Sequence, residues 1–213
     1  MPCVSHANAV AHDEITTLED LYSAAVSDSP SQSHREHKAS SPATVRCAVL
    51  TVSDTRTEAN DTGGGAIVTL LAEHGHEVLF KQIVRDEPDQ VRALIAGWIT
   101  GDAADAGNEG AGSAEQRRVQ AIITTGGTGI SSRDRTYEAV TSLLDKQLDG
   151  FGELFRMLSF QEIGAGAMLS RACAGVARGR IVICLPGSEH AVRLAMTRLI
   201  LPELGHLVRE ISR

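Results

Sequence analysis

The chain has 213 residues, 42% hydrophobic and 22% charged, which is enough for one packed core with extensions and too apolar for a disordered polyampholyte. Its 20 basic and 27 acidic side chains leave a formal charge of −7, so no global basic field exists to hold a phosphate backbone, and nucleic acid is excluded as the main partner. No apolar run approaches the roughly 18 residues of a membrane helix, and residues 1–43 lack the basic start and apolar stretch of a signal peptide, so the expectation is a cytoplasmic protein with no membrane partner.

Residues 1–43 carry six acids, two bases and four of the eight histidines. This segment cannot bury enough apolar surface to offset its ordering entropy and reads as a disordered tail. Its scattered histidines have no ligand spacing. The domain then runs over 44–213. Arg46 to Ser53 (RCAVLTVS) is a short apolar run suited to a buried parallel strand. A helical pattern follows from Gly64 to His74, with Gly75 as its stop, and then a more alternating strand, Glu77 to Val84, nearer an edge. Pro88 opens a helix to Ile99 with Val91, Leu94, Ile95 and Trp98 on one face. Residues 101–118 are rich in Gly, Ala and charge, and read as a surface loop. Val119 to Thr125 and Arg180 to Leu185 are two further buried strands. Glu138 to Asp145, Gly152 to Ser159 and Ser188 to Ile211 are helical, with Pro202 expected to interrupt or kink the last. This alternation argues for an α/β fold, a three-layer sandwich with a mainly parallel central sheet flanked by helices. With aromatic residues at 3%, Val, Ile, Leu and Ala must fill its core. Cys3, Cys47, Cys173 and Cys184 form no C-x-x-C pair and read as free structural thiols.

In open α/β sheets ligands bind beyond the carboxyl ends of the strands, so the residues just after each apolar run are the candidates. The first strand leads through Ser53 and Asp54 to Asp61-Thr62-Gly63-Gly64-Gly65 at a helix start, where free N–H groups attract anions; Asp61 or Thr62 equally reads as an ordinary N-cap. The third strand runs into Gly126-Gly127-Thr128-Gly129, a row of backbone donors suited to a phosphate or polar heterocycle, with a tight structural turn as the alternative. It matches neither the P-loop nor the dinucleotide fingerprint. Asp134 lies just beyond this loop, and Asp86 just after the second strand. Hard oxygen ligands of this kind suit Mg²⁺ on a triphosphate, although Asp86 also fits a helix-start acid. The last strand delivers Pro186-Gly187-Ser188 at another helix start.

The segments SDTR, DTGG, TTGGTG followed by SRD, GFGELFRMLSFQEIG, MLSR and LPGS resemble, in order and spacing, the MoaB/Mog family of molybdenum-cofactor biosynthesis proteins, whose fold recurs in the gephyrin G domain. The resemblance runs from about Val45 to Ile211. It implies binding of molybdopterin and its adenylylation by Mg²⁺-ATP, with release of pyrophosphate, and a non-catalytic molybdopterin carrier of the same pathway as the alternative. By motif, the two acids of active members fall on Asp86, which would hold the metal, and Asp134. Ser170 of the Leu-Ser-Arg segment resembles a contact to the pterin phosphate, with Arg133 as a further phosphate contact. The loop Gly126 to Gly129 and Pro186-Gly187-Ser188 resemble the rest of the cleft. The resemblance also implies a homo-oligomer, a trimer or a dimer of trimers, and the pathway's molybdenum insertase as a partner. One departure is Tyr137, where the family commonly has Pro or Ile, and it is expected to reshape the helix start.

Overall fold

A computed structural model describes residues 41–101 and 118–213. The histidine-bearing stretch before residue 41 and residues 102–117 of the expected surface loop lie outside the described residues. Of the expected tail, Pro42 is half-buried, and its carbonyl lies where a Cβ on Gly205 would come within 2.6 Å.

Six strands form one sheet: β1 (Arg46–Val52), β2 (Glu77–Val84), β3 (Ala121–Thr125), β4 (Lys146–Gln147), β5 (Cys173–Ala177) and β6 (Arg180–Leu185). The spatial order is β2-β1-β3-β6-β5-β4, so β2 occupies the edge that its alternating pattern suggested. Strands β2, β1, β3 and β6 are parallel, whereas β5 runs antiparallel to both β6 and β4.

Successive residues of a strand point to opposite faces, and the core obeys that period. Cys47, Val49, Ile123, Ile181 and Ile183 pack on one face beneath α1 (Thr62–Glu73), α4 (Asp149–Ile163), α5 (Glu189–Ala195) and α6 (Leu201–Ile211). Ala48, Leu50, Ile122, Val182 and Cys184 pack on the other beneath α2 (Pro88–Thr100) and α3 (Thr136–Thr141). Each fully buried Ile or Leu contributes roughly 1.5–3 kcal/mol of transfer free energy, so these two aliphatic layers hold the sandwich together. Trp98 adds a stacked contact with Phe80, ring centroids 6.0 Å apart.

Helix boundaries follow their caps. Asp61 accepts the Gly64 N–H at 2.9 Å and starts α1 at three glycines that would otherwise favour coil. Pro88 opens α2, and Gly101, at φ 91°, closes it. The helix expected over Glu138 to Asp145 is α3 and stops at Thr141. Beyond it the backbone turns to the sheet edge, where the Asp145 N–H donates to Val176 O at 2.8 Å. Strands β4 and β5 were not anticipated: β4 has two residues, and β5 (CAGVA) is too small-sided to look like a strand. The helix expected over Ser188 to Ile211 is interrupted as Pro202 suggested: α5 ends at Ala195 and α6 starts at Leu201, with Pro202 in its first turn. Residues Met196–Ile200 widen into a π turn, with the Leu201 N–H donating to Met196 O, which makes room at the carbonyl that a proline ring would strike.

Candidate functional site

Between β1 and β3 the chain reverses its direction of winding, from β2 on one side to β3 on the other, and the crevice opens at that switch point. Four carboxyl ends meet there: β1 delivers Ser53, β2 delivers Asp86, β3 the glycine loop, and β6 Pro186-Gly187-Ser188. Thr125 Oγ1 donates to Pro186 O at 2.8 Å and ties two of these ends together.

The glycine loop is held from below. Gly127 O accepts the Thr136 N–H at 3.0 Å, and Thr136 Oγ1 donates to Asp86 Oδ1 at 3.2 Å. Asp86 is only 8% exposed. Burial pushes its carboxyl above the usual carboxylate range; hydrogen bonds from Thr136 and the Arg135 backbone oppose that, and the charges of Asp134 and Asp54 add to it. Gly126 and Gly127 both have positive φ, 98° and 62°. A Cβ on Gly126 would strike Val52 O, and one on Gly127 would strike Thr136 Oγ1 and come within 2.5 Å of Asp86 Oδ2. The fold itself therefore demands glycine here, as the tight structural turn of the sequence reading requires.

Two clefts share this loop. The larger, about 400 Å³, is lined by Gly127, Thr128, Gly129, Asp134, Ser170, Pro186, Gly187 and Ser188 on its polar side, and by Phe155, Ile163 and Leu169 on its apolar side. The smaller, about 190 Å³, is lined by Ser53, Arg56, Asp61, Gly63, Gly126, Gly127 and Gly187. A mixed wall suits a flat heterocycle with a polar edge, and an arginine beside a helix start suits an anion.

Several candidates also have structural duties. Asp61 caps α1, accepts from Thr51 Oγ1 at 3.0 Å and lies 3.3 Å from Lys81 Nζ. Ser188 caps α5 by accepting the Ala191 N–H at 3.2 Å. Ser53 Oγ accepts the Thr55 and Arg56 N–H groups, both at 3.2 Å. Asp134 Oδ2 accepts the Ser131 N–H at 3.1 Å and rests on Gly129. Asp86, Asp54 and Arg133 line neither of these two clefts; Asp86 sits beneath the glycine loop, and Asp54 and Arg133 lie at the surface. The latter two pair with each other at 2.6 Å, and the hydrogen bond from Arg133 holds the Asp54 carboxyl below its usual range.

Sequence reasoning missed Arg171 and Arg56. Arg171 donates through Nε to Thr128 O at 3.0 Å and through Nη2 to Gly129 O at 2.5 Å and Asp134 O at 2.9 Å. Its Nη1 pairs with Glu138. The guanidinium lies over the Tyr137 ring, 5.1 Å from the centroid, so the departure at Tyr137 gives this clamp a platform. One arginine thus holds three carbonyls of the loop that carries Asp134. The signal available was its place in MLSR, next to Ser170.

Magnesium takes oxygen ligands and needs only one or two protein carboxylates when phosphates complete its shell. Among the described residues no three His, Cys, Asp or Glu side chains converge into a closed metal cage. Asp86 supplies one such carboxylate, with the charges of Asp54 and Asp134 near it, although it lines neither cleft. Among the described residues no helix is long and apolar enough to cross a membrane.

Residues 48–206 match a family model described as a probable molybdopterin binding domain. The chain is 50% identical over 179 residues to molybdenum cofactor biosynthesis protein B of Halalkalibacterium halodurans, covering 84% of this chain and 96% of that protein. To the protein of the same name from Bacillus subtilis it is 45% identical over 181 residues, covering 84% and 97%. Among solved structures, a molybdenum cofactor biosynthesis protein B superposes with a TM-score of 0.68 at 47% identity, over 81% of this chain and 98% of that one. The tungsten cofactor synthesizing protein MoaB of Pyrococcus furiosus gives 0.66 at 32% identity, over 81% and 99%.

Proposed function

The chain belongs to the MoaB/Mog family of molybdenum cofactor biosynthesis proteins, and from that premise we propose that it adenylylates molybdopterin with Mg²⁺-ATP, releasing pyrophosphate. The observation that supports this most is that Gly127 and Gly187 line both clefts. Two ligands of different chemistry can then meet across one glycine wall, which a single-ligand carrier does not need.

The larger cleft takes the pterin against Phe155, Ile163 and Leu169, with Ser170 and Ser188 toward its phosphate. The smaller cleft takes nucleotide phosphate near Arg56 and the α1 start. A phosphate oxygen of the pterin attacks the α-phosphorus of ATP, and the bond to pyrophosphate breaks. The chain's residues perform little covalent work in such a transfer; they position the nucleophile in line and present fixed donors to the developing charge. Asp86 would hold Mg²⁺, which would supply charge neutralisation on the phosphates. Asp134 orients the metal or the pterin phosphate, and Arg171 fixes the loop that carries it.

The product passes to the molybdenum insertase of the pathway, and the chain works as a homo-oligomer. Support for the latter is an apolar stripe on α4 and the turn after it: Leu154, Met157, Phe160, Ile163 and Met168 are all exposed. A trimer, or a dimer of trimers, would cover it.

Purified protein mixed with molybdopterin and Mg²⁺-ATP should release pyrophosphate and yield adenylyl-molybdopterin by mass spectrometry. Tight molybdopterin binding without turnover would establish the carrier reading instead.

A further inference from the structure

Two of the thiols face each other across the antiparallel edge of the sheet. Cys173 of β5 pairs in register with Cys184 of β6. The hairpin turn between them, Arg178-Gly179, has positive φ at both residues, 45° and 73°, which is the two-residue turn that closes on a hydrogen-bonded pair. Counting outward from Ala177 and Arg180 in alternation, Cys173 and Cys184 occupy another hydrogen-bonded position, where Cα atoms stand about 5.5 Å apart. That Cα separation lies within the range a disulfide spans, and closing the bond draws the two Cβ atoms from about 5.5 Å to about 4 Å. Both side chains lie on the same sheet face, in the layer covered by α2 and α3.

Access differs between the two. Cys184 is fully buried, while Cys173 is half-buried and lines a separate cleft of about 260 Å³ with Tyr137, Gln147 and Arg156. We propose that Cys173 and Cys184 form a reversible cross-strand disulfide when the chain meets a small-molecule disulfide oxidant such as oxidised glutathione. The Cys173 thiolate attacks one sulfur of the oxidant, and the other sulfur leaves as a thiolate. Cys184 then loses its proton to that leaving thiolate and attacks Cys173 Sγ, expelling the second thiolate, which takes up the proton lost from Cys173. The two cysteines lose two electrons and two protons, and one oxidant molecule becomes two thiols. The hydrogen bond from Cys184 and the nearby Arg171 charge favour the Cys173 thiolate, and the same contact, with burial, pushes Cys184 up.

The bond would sit two residues after Arg171 and two before Pro186, so it links the strand that carries the loop clamp to the strand that delivers the cleft wall. The proposal does not depend on what the clefts bind. Cys47 serves as an internal control, because it lies on the opposite sheet face, fully buried, with its thiol pushed up to about 12 by burial.

The test treats the folded, reduced full-length protein with oxidised glutathione, blocks residual thiols with an alkylating agent, and maps peptides by mass spectrometry. The expected product joins the Cys173 and Cys184 peptides, lighter by two hydrogens. Cys184→Ala should trap Cys173 as a stable glutathione adduct, and Cys173→Ala should leave Cys184 unmodified. The proposal is overturned if both thiols are alkylated after an exposure that oxidises the denatured chain, if Cys173 pairs instead with Cys3 or Cys47, or if Cys184 reacts without Cys173.

Discussion

The parallel part of the sheet and its antiparallel edge reach the same crevice from opposite ends. Strands β1, β2, β3 and β6 present their carboxyl ends to it, and each is followed by a candidate site residue: Ser53, Asp86, Gly126 and Pro186. Strand β5 is inverted, so what it presents is the residue before it starts. Ser170 and Arg171 stand at that position, and Arg171 holds the carbonyls of Thr128, Gly129 and Asp134. The parallel strands bring the acids and donors, and the edge supplies the clamp that fixes their loop. Inspecting only the carboxyl ends of strands finds the first group and overlooks the second.

Removing charge from the parallel half should have the largest effect. Asp86→Asn and Asp134→Asn keep shape, so adenylyl transfer should slow by roughly 10²-fold or more, the scale on which a single preorganised charge acts in a dry site. Pyrophosphate release under saturating substrates measures this. Near wild-type rates in both variants would remove the acids from the chemistry.

Two glycines of the same half sharpen the difference between a conformational and a steric requirement. Gly127→Ala meets both a positive φ and the Asp86 and Thr136 side chains, and should cost about 3 kcal/mol in urea unfolding. Gly187→Ala has no positive φ, and its Cβ would sit 3.2 Å from Gly126 Cα, a shift of a few tenths of an ångström. It should cost about 1 kcal/mol while narrowing both clefts. Equal losses would mean that the loop conformation is not what selects glycine at Gly127.

The apolar runs made the parallel half legible in the sequence, because strands buried on both faces need uninterrupted Val, Ile and Leu. RIVICL matches β6 residue for residue, and the edge strand β2 was found instead by its alternation in EVLFKQIV. The antiparallel edge was illegible for the converse reason. CAGVA carries little apolar bulk because Gly175 packs against Lys146 O and Leu144, and a Cβ there would collide with them. Lys146–Gln147 is too short for any period to show. Arg171 was hidden because three of its partners are carbonyls, groups every residue has. Asp61 was legible as a cap and as a cleft residue alike, since one geometry serves both, whereas the capping by Ser188 emerged only in the structure.

Weakening the clamp tests whether the edge matters to the site. Arg171→Lys keeps the charge but loses the planar fork that reaches Thr128 O, Gly129 O and Asp134 O together. The expected loss is about 1–2 kcal/mol of stability. KM for the pterin should rise severalfold while kcat falls less, because the loop still forms but is no longer held. An unchanged KM alongside the stability loss would confine Arg171 to a purely structural duty.

The smallest effect concerns how Asp86 titrates. Its carboxyl is pushed above the usual carboxylate range, mainly by burial, so the folded state favours the protonated form more than the unfolded state does. The stabilisation tied to that form is fully present below the unfolded pKa and is lost as pH rises through the folded one. Asp86→Asn cannot titrate, so the melting temperature of the variant minus that of the wild type should grow more positive as pH rises from about 3 to about 6. Carboxylates that do not feel the Asp86 charge cancel in the difference. Asp54 moves the opposite way because Arg133 holds it ionised, so Asp54→Asn should give the mirror-image trend, weakened by solvent exposure. Thr136→Val separates the causes at Asp86. It removes a hydrogen bond that favours the ionised carboxyl, so the wild-type-like loss of stability should shift to higher pH. A gap that stays flat with pH in Asp86→Asn would mean that water or a cation reaches the carboxylate and cancels its desolvation.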